Sequence, residues 1–158
     1  MRKLFLFIAV AIFGLLNLNA QGFKLGANVG IPTGDASDFS SFAIGIDVNF
    51  LWEASEAFDA GLAAGFSNSF IKKEWGDTDV QFLPIAAAGR FNASEDFKIG
   101  ADLGYAIGIN DGNDGGFYYR PMVGYNISEI MEIDLSYSGV SKNGGTWSII
   151  GLGVMFEL

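Results

Sequence analysis

The chain has 158 residues, 50% of them hydrophobic and only 17% charged, with 22 glycines, 3 prolines, no histidine and no cysteine. Its 9 basic residues face 18 acidic ones, a formal net charge of −9, which argues against nucleic acid because phosphate contacts need clustered Lys and Arg. Without histidine or cysteine there is no Ser-His-Asp or Cys-His machinery, no imidazole metal site, no disulfide and no lipid-modified N-terminal cysteine. The chain reads as no enzyme, and neither cofactor nor metal is expected.

Residues 1–20 read as a secretory signal peptide: Arg2 and Lys3 form the positive region, Leu4 to Leu16 an uncharged apolar region, and Asn17-Leu18-Asn19-Ala20 a cleavage site. The apolar region is shorter than the roughly 20 residues that a membrane-spanning helix needs. Residues 21–158 then form one domain. Loss of Arg2 and Lys3 leaves 7 basic against 18 acidic side chains, a net charge of −11.

In the first strand, Phe23, Leu25, Ala27, Val29 and Ile31 alternate with Lys24, Gly26, Asn28 and Gly30, a period of two rather than 3.6. A polar loop spans 32–41. The second strand sets Phe42, Ile44, Ile46, Val48 and Phe50 against Ala43, Gly45, Asp47, Asn49 and Leu51. The third sets Phe58, Ala60, Leu62, Ala64 and Phe66 against Asp59, Gly61, Ala63, Gly65 and Ser67, and a charged loop follows over 70–79. The fourth, Val80 to Phe91, is the least regular, and Pro84 removes a ladder donor, so a bulge or weak pairing is expected there.

The fifth strand alternates most clearly: Phe97, Ile99, Ala101, Leu103, Tyr105, Ile107 and Ile109 face away from Lys98, Gly100, Asp102, Gly104, Ala106, Gly108 and Asn110. A loop spans 110–116. In strand six, Tyr119, Val123 and Tyr125 oppose Tyr118, Arg120, Met122 and Gly124; in strand seven, Ile133, Leu135 and Tyr137 oppose Glu132, Asp134, Ser136 and Ser138. A last loop spans 140–146. The eighth strand, Trp147 to Leu158, sets Ile150, Leu152, Val154, Phe156 and Leu158 against Ile149, Gly151, Gly153, Met155 and Glu157.

One pattern recurs between these strands: an aromatic, two residues, Ser-Glu, one residue, then a large apolar side chain. It occurs at Trp52 with Ser55, Glu56 and Phe58; at Phe91 with Ser94, Glu95 and Phe97; and at Tyr125 with Ser128, Glu129 and Met131. The copies read as short turns joining strands whose flanking apolar residues enter the same medium, and the aromatics as a girdle at one membrane surface. Asn92-Ala93-Ser94 and Asn126-Ile127-Ser128 match a glycosylation sequon but fall in these turns and are read as turn residues.

Eight strands make an even number, with both termini at the repeat-turn end. The bulky face carries no charge on any strand, while the other carries small residues plus Lys24, Asp47, Asp59, Arg90, Lys98, Asp102, Arg120, Glu132, Asp134 and Glu157. An eight-stranded barrel encloses space just wide enough for side chains, too little for the whole bulky set. The bulky face therefore points outward into lipid, and the expected fold is all-β: an eight-stranded antiparallel up-and-down transmembrane β-barrel.

With these strands, aromatic-framed turns and alternating last strand, the chain resembles the small eight-stranded outer-membrane β-barrel family, the OmpA/OmpX-like group, and particularly the compact barrels common in Bacteroidota. The resemblance covers all of 21–158. It implies a Gram-negative outer membrane, with the termini and repeat turns periplasmic and the loops 32–41, 70–79, 110–116 and 140–146 extracellular. Lipid bilayer, lipopolysaccharide and the outer-membrane assembly machinery are the implied partners, and a monomer is expected. Family members usually end on an aromatic; this chain places Leu158 last and Phe156 two positions earlier.

The inward charges are the candidates for any active role. Asp47, Asp102 and Arg120 each lie five residues from a girdle aromatic (Trp52, Phe97 and Tyr125), which predicts a common depth near mid-barrel. Two carboxylates clamped on one guanidinium could plug the lumen or gate a narrow pore. Arg90, Lys98, Asp59, Glu132 and Glu157 are expected in a second layer nearer the periplasmic rim; alternatively, all these pairs only satisfy one another and fix the register. Inward glycines leave a thin water path or simply allow curvature. Asp111-Gly112-Asn113-Asp114-Gly115-Gly116 resembles the start of a calcium loop, but the twelfth position is Met122, and turn chemistry is the reading taken. Phe70, Trp75, Phe117, Tyr118, Tyr119 and Trp147 are expected to form a second girdle at the outer end.

The function expected is a non-enzymatic integral outer-membrane barrel with a structural or surface-interaction role through short loops. The alternative is a porin-like ion pore gated by the interior charges. A soluble ligand-binding barrel is a third reading.

Overall fold

The computed structural model describes residues 22–158; the leader expected over 1–20 lies outside the described residues. Eight strands follow in order: β1 Phe23–Thr33, β2 Ser40–Ser55, β3 Phe58–Ile71, β4 Val80–Asn92, β5 Phe97–Gly108, β6 Gly116–Asn126, β7 Met131–Lys142 and β8 Gly145–Glu157. Each pairs antiparallel with the next, and β8 returns to β1 over ten residue pairs from Lys24↔Glu157 to Thr33↔Ser148. Closure removes the unpaired edge that would otherwise recruit another chain. Alternation in the sequence thus gives the all-β, eight-stranded barrel it implies.

The two faces are inverted relative to a water-soluble barrel. Val29, Leu62, Leu103 and Leu152 on the outer wall are more than half exposed, whereas Arg90, Asp102 and Asp134 in the lumen are at most 2% exposed. In water this arrangement would leave large apolar side chains uncovered and desolvate ions, two unfavourable terms at once. A lipid surround removes the first of them.

Pro84 disturbs the sheet less than its chemistry suggests. β3 and β4 keep one register on either side of it, Ala64↔Ile85 and Ser67↔Phe82, with the ladder interrupted between. On its other side Pro84 still sits opposite Ala106 of β5. The weak pairing is present without a bulge. Irregularities in the β2–β3 ladder instead fall near its two ends, at Ser40/Phe42 and Glu53/Ser55.

The three repeat turns are not identical. In the second, the Ala93 and Ser94 amides donate to the Phe97 carbonyl at 2.9 and 3.2 Å; in the third, Ile127 and Ser128 donate to Met131 at 2.9 and 3.2 Å. The first is tighter, because β2 runs on to Ser55, which pairs with Phe58 across Glu56 and Ala57. Neighbouring turns are stitched by backbone bonds from Asn92 to Ala57, Asn126 to Asp96 and Glu157 to Ile130.

At the opposite end the polar loop after β1 folds into a short helix, α1 Asp35–Phe39, that the sequence did not suggest. Gly34 enters it at φ 57°, a left-handed conformation that favours glycine, and the Ser37 amide and hydroxyl both donate to the Gly34 carbonyl at 3.0 and 2.7 Å. β7 and β8 extend farther than expected, so only Asn143 and Gly144 separate them.

Candidate functional site: the charged lumen

The alternating strands deliver every inward charge to one narrow space, where low dielectric forces ions to find partners. Asp102 and Arg120 are register partners on β5 and β6. Arg120 Nη1 lies 3.0 Å from Asp47 Oδ1, its Nη2 3.6 Å from Asp134 Oδ1 and its Nε 3.9 Å from Asp102 Oδ2. The expected trio of Asp47, Asp102 and Arg120 is therefore together in space. Asp134 completes a ring of three carboxylates around the guanidinium.

Arg90 belongs to this mid-barrel layer rather than to the second layer where the sequence reading placed it. Its Nη1 lies 2.7 Å from Asp102 Oδ1 and donates to the Gly89 and Ala101 carbonyls at 2.9 and 3.3 Å. The reason is length: Arg90 faces Gly100 across the ladder, a Cβ at Gly100 would collide with the Arg90 side chain, and the missing Cβ lets the guanidinium run along the lumen. Asp59 is the converse correction. It opposes Arg90 in register, yet it makes no ion pair among the described residues and instead accepts from Asn92 Nδ2 at 3.2 Å.

A second layer lies toward the turns. Lys24 and Lys98 both donate to Glu132 Oε2, at 2.9 and 3.3 Å, and Glu157 lies 4.0 Å from Lys24. Sequence reading put Lys24 on the inward face but gave it no role. Its signal was its place opposite the equally inward Glu157, readable only once β1 is known to pair with β8.

The inward glycines serve neither as an open path nor as bare bends at these positions. Asp47 occupies the recess opposite Gly65, where an added Cβ would come within 2.9 Å of Oδ1, and Asp134 and Glu132 fill the recesses at Gly153 and Gly124. Asn28 fills the one at Gly45 and donates from Nδ2 to Asp47 Oδ2 at 2.6 Å. The voids among the described residues include ones of about 40 Å³ beside Asp47 and Arg120, about 10 Å³ beside Asp102, and about 30 Å³ among Lys24, Lys98 and Glu132. Spaces of this size hold one or a few waters.

Toward the loops the charged layers give way to an apolar septum of Phe82, Val140 and Trp147, with Trp147 Nε1 donating to Ser69 Oγ at 3.1 Å. Tyr118 and Trp147 thus point into the lumen and do not belong to an outer girdle. Alternation decides this, since both occupy inward positions of their strands. Phe117 and Tyr119 are on the outer wall, with ring centroids 6.3 Å apart, and Phe70 stacks on Phe42 at 4.4 Å. Trp75 leaves the wall altogether to pack edge-on against Phe39 of α1 at 5.1 Å.

At the turn end, Trp52, Phe58, Phe91, Phe97 and Tyr125 are exposed on the outer wall, and Glu56, Glu95 and Glu129 are exposed in the turns. Ser94 Oγ accepts from the Phe97 amide at 3.0 Å. Ser55 lies in β2 and acts through its backbone pairing with Phe58. In the loop after β5, Asn113 Oδ1 accepts from the Gly115 amide at 3.1 Å, an Asx turn, and Asp114 pairs with Lys142. Among the described residues no three acidic side chains are grouped to hold a metal ion.

No family model matches the sequence, and no curated protein matches it. Solved structures do resemble the barrel. The attachment invasion locus protein Ail of Yersinia pestis superposes with a TM-score of 0.59 at 18% identity, over 85% of this chain and 95% of that one. Neisserial surface protein A gives 0.54 at 18%, over 87% and 97%, and the N-terminal β-barrel domain of Pseudomonas aeruginosa OprF gives 0.54 at 14%, over 85% and 96%. At these identities the likeness establishes a shared fold: the chain is built as a small eight-stranded barrel of the kind these proteins form.

Proposed function

We propose that the chain is a monomeric, non-enzymatic integral protein of a Gram-negative outer membrane, acting structurally or through the surface its loops present. One observation carries the proposal: the sheet closes on itself with an uncharged apolar outer wall and a lumen filled by ions and small side chains. A lipid surround makes the outer face favourable, and within the closed lumen the ions pair with one another. The Ail structure, described in its own right as that of an outer membrane protein, shares the fold and supports the location. The repeat turns then face the periplasm and the loops the exterior, with lipopolysaccharide around the outer rim and the assembly machinery acting on insertion. A barrel of the compact Bacteroidota kind remains the finer form of this proposal.

The rival reading is a narrow pore gated at Asp47, Asp102 and Arg120. The mid-barrel ion pairs and the Phe82, Val140, Trp147 septum favour a plugged lumen over it. Heat-modifiability of detergent-extracted protein tests the barrel itself: an unboiled band that migrates differently from the boiled one is expected. Planar-bilayer recording then tests the plug. Silence is expected, whereas sustained single-channel steps altered by Arg120→Ala would establish the pore.

A further inference from the structure

The loops after β1, β5 and β7 line a cup of about 270 Å³ at the end of the barrel opposite the repeat turns. Its floor is the septum of Phe82, Val140 and Trp147, and its wall includes Phe39 of α1. The cup is pre-formed. Trp147 is fixed by its bond to Ser69, and Phe39 by its edge contact with Trp75. Lys72 Nζ donates to the Ser37 carbonyl at 2.8 Å, which holds α1 across the neighbouring loop. Concave, mostly apolar sites with a few polar groups at the rim are the usual form of small-molecule sites.

The charges at the rim select among ligands. Lys142 lines the cup but is already paired with Asp114, whereas Asp35, also lining it, pairs with no cation among the described residues. These three groups sum to one negative charge, on a chain whose formal net charge is −9. The mouth therefore attracts cations, and the Phe39 and Trp147 rings offer π faces that attract them further.

We infer that this cup binds a small organic ammonium compound carrying one aromatic or compact apolar group. The apolar group rests on Phe82, Val140 and Trp147, and the ammonium lies at the rim beside the Asp35 carboxylate. The inference goes beyond the structural role proposed above. It depends on barrel closure but not on which compartment the loops face.

The test uses the full barrel in lipid nanodiscs, titrated calorimetrically with 2-phenylethylammonium and, separately, with 3-phenylpropionate, an anion of similar shape, with empty nanodiscs subtracted. Saturable binding of the cation alone is expected, weakened about ten-fold by Asp35→Asn as a charge-assisted hydrogen bond is lost. Val140→Trp, which fills the floor, is expected to abolish it; if that variant fails to give the unboiled gel band, Asn143→Trp obstructs the cup from the exposed loop instead. No saturable heat, equal binding of cation and anion, or undiminished binding in a folded filled variant overturns the inference. A wild-type chain without the heat-modifiable band fails the barrel proposal before any titration, so the two failures are distinguishable.

Discussion

The mid-barrel layer around Arg120 and the turn-end layer around Glu132 hold the same kinds of group at different depths of burial. In the first, two guanidiniums face three carboxylates, and Asp134 keeps both oxygens free of hydrogen bonds while Asp102 Oδ1, though 2.7 Å from Arg90, is not aligned for one. In the second, two lysines share one oxygen of Glu132 and a fourth group, Glu157, is nearly half exposed. Arginine occupies the deep layer because its planar fork can serve several carboxylates at once, and lysine the shallow one because water completes its shell. The contrast teaches that the deep layer is a tightly coupled lock, while the turn-end layer tolerates exchange with solvent.

Breaking the lock gives the largest expected effect. Arg120→Ala strands Asp47 and Asp134 without a cation, and losing one partner of a buried ionic set costs about 3–5 kcal/mol. Urea unfolding of the barrel in lipid vesicles, followed by tryptophan emission, is expected to show that loss or a chain that no longer folds. Replacing both Arg90 and Asp102 by Met and Leu is expected to cost less than Asp102→Leu alone, because an orphaned buried guanidinium is worse than an apolar pair. Additive single and double effects would mean that water, and not the partner, satisfies these groups.

The glycine recesses offer a sharper version of the same comparison. At Gly153 an added methyl falls on the Asp134 carboxylate, whereas at Gly145 it meets nothing within 4 Å. Gly153→Ala is expected to cost about 1–3 kcal/mol through overpacking, and Gly145→Ala to stay near neutral. In the turn-end layer, Glu132→Ala releases two lysines at once and is expected to cost about 1–3 kcal/mol. Lys98→Met leaves Lys24 on the carboxylate and is expected to cost less than about 1 kcal/mol.

How far the lumen could be foreseen depends on which residues fix it. Strict alternation placed every strand and its inward charges, since a one-residue slip would turn Asp102 or Arg120 into lipid. The partners within the lumen were less accessible. Counting residues from girdle aromatics groups Asp47, Asp102 and Arg120 but leaves Arg90 in the second layer and Asp134 in neither, because a long side chain reaches across layers and because the neighbouring glycines decide where it can lie. Asp59 illustrates the limit: its register partner is Arg90, yet Gly100 opens a better route toward Asp102. Helix α1 was hidden for another reason. A five-residue helix has too short a span for periodicity to register, and its position rests on Phe39, Trp75 and Lys72 packing across loops.

The smallest effect lies outside the barrel wall, where Asp114 of the loop after β5 meets Lys142 at the end of β7. The hydrogen bond and charge of Lys142 hold the Asp114 carboxyl below its ordinary value, even though the group is fully exposed. A depressed folded-state pKa means that the contact's contribution is fully present above the ordinary carboxylate range and is lost as pH falls through the lowered value. The contact lies outside the barrel wall and is fully exposed, so it is a surface term, screened by salt. Amide exchange at Gly115, whose amide is hydrogen-bonded, is expected to stay slow down through the ordinary carboxylate range and to quicken only below it, beyond the intrinsic pH trend. Asp114→Asn is expected to remove that step at low salt, and raised salt to flatten it in the unmodified chain. A step that survives Asp114→Asn would assign the transition to the lumen instead, and with it the contrast between a locked interior and a titrating rim would fail.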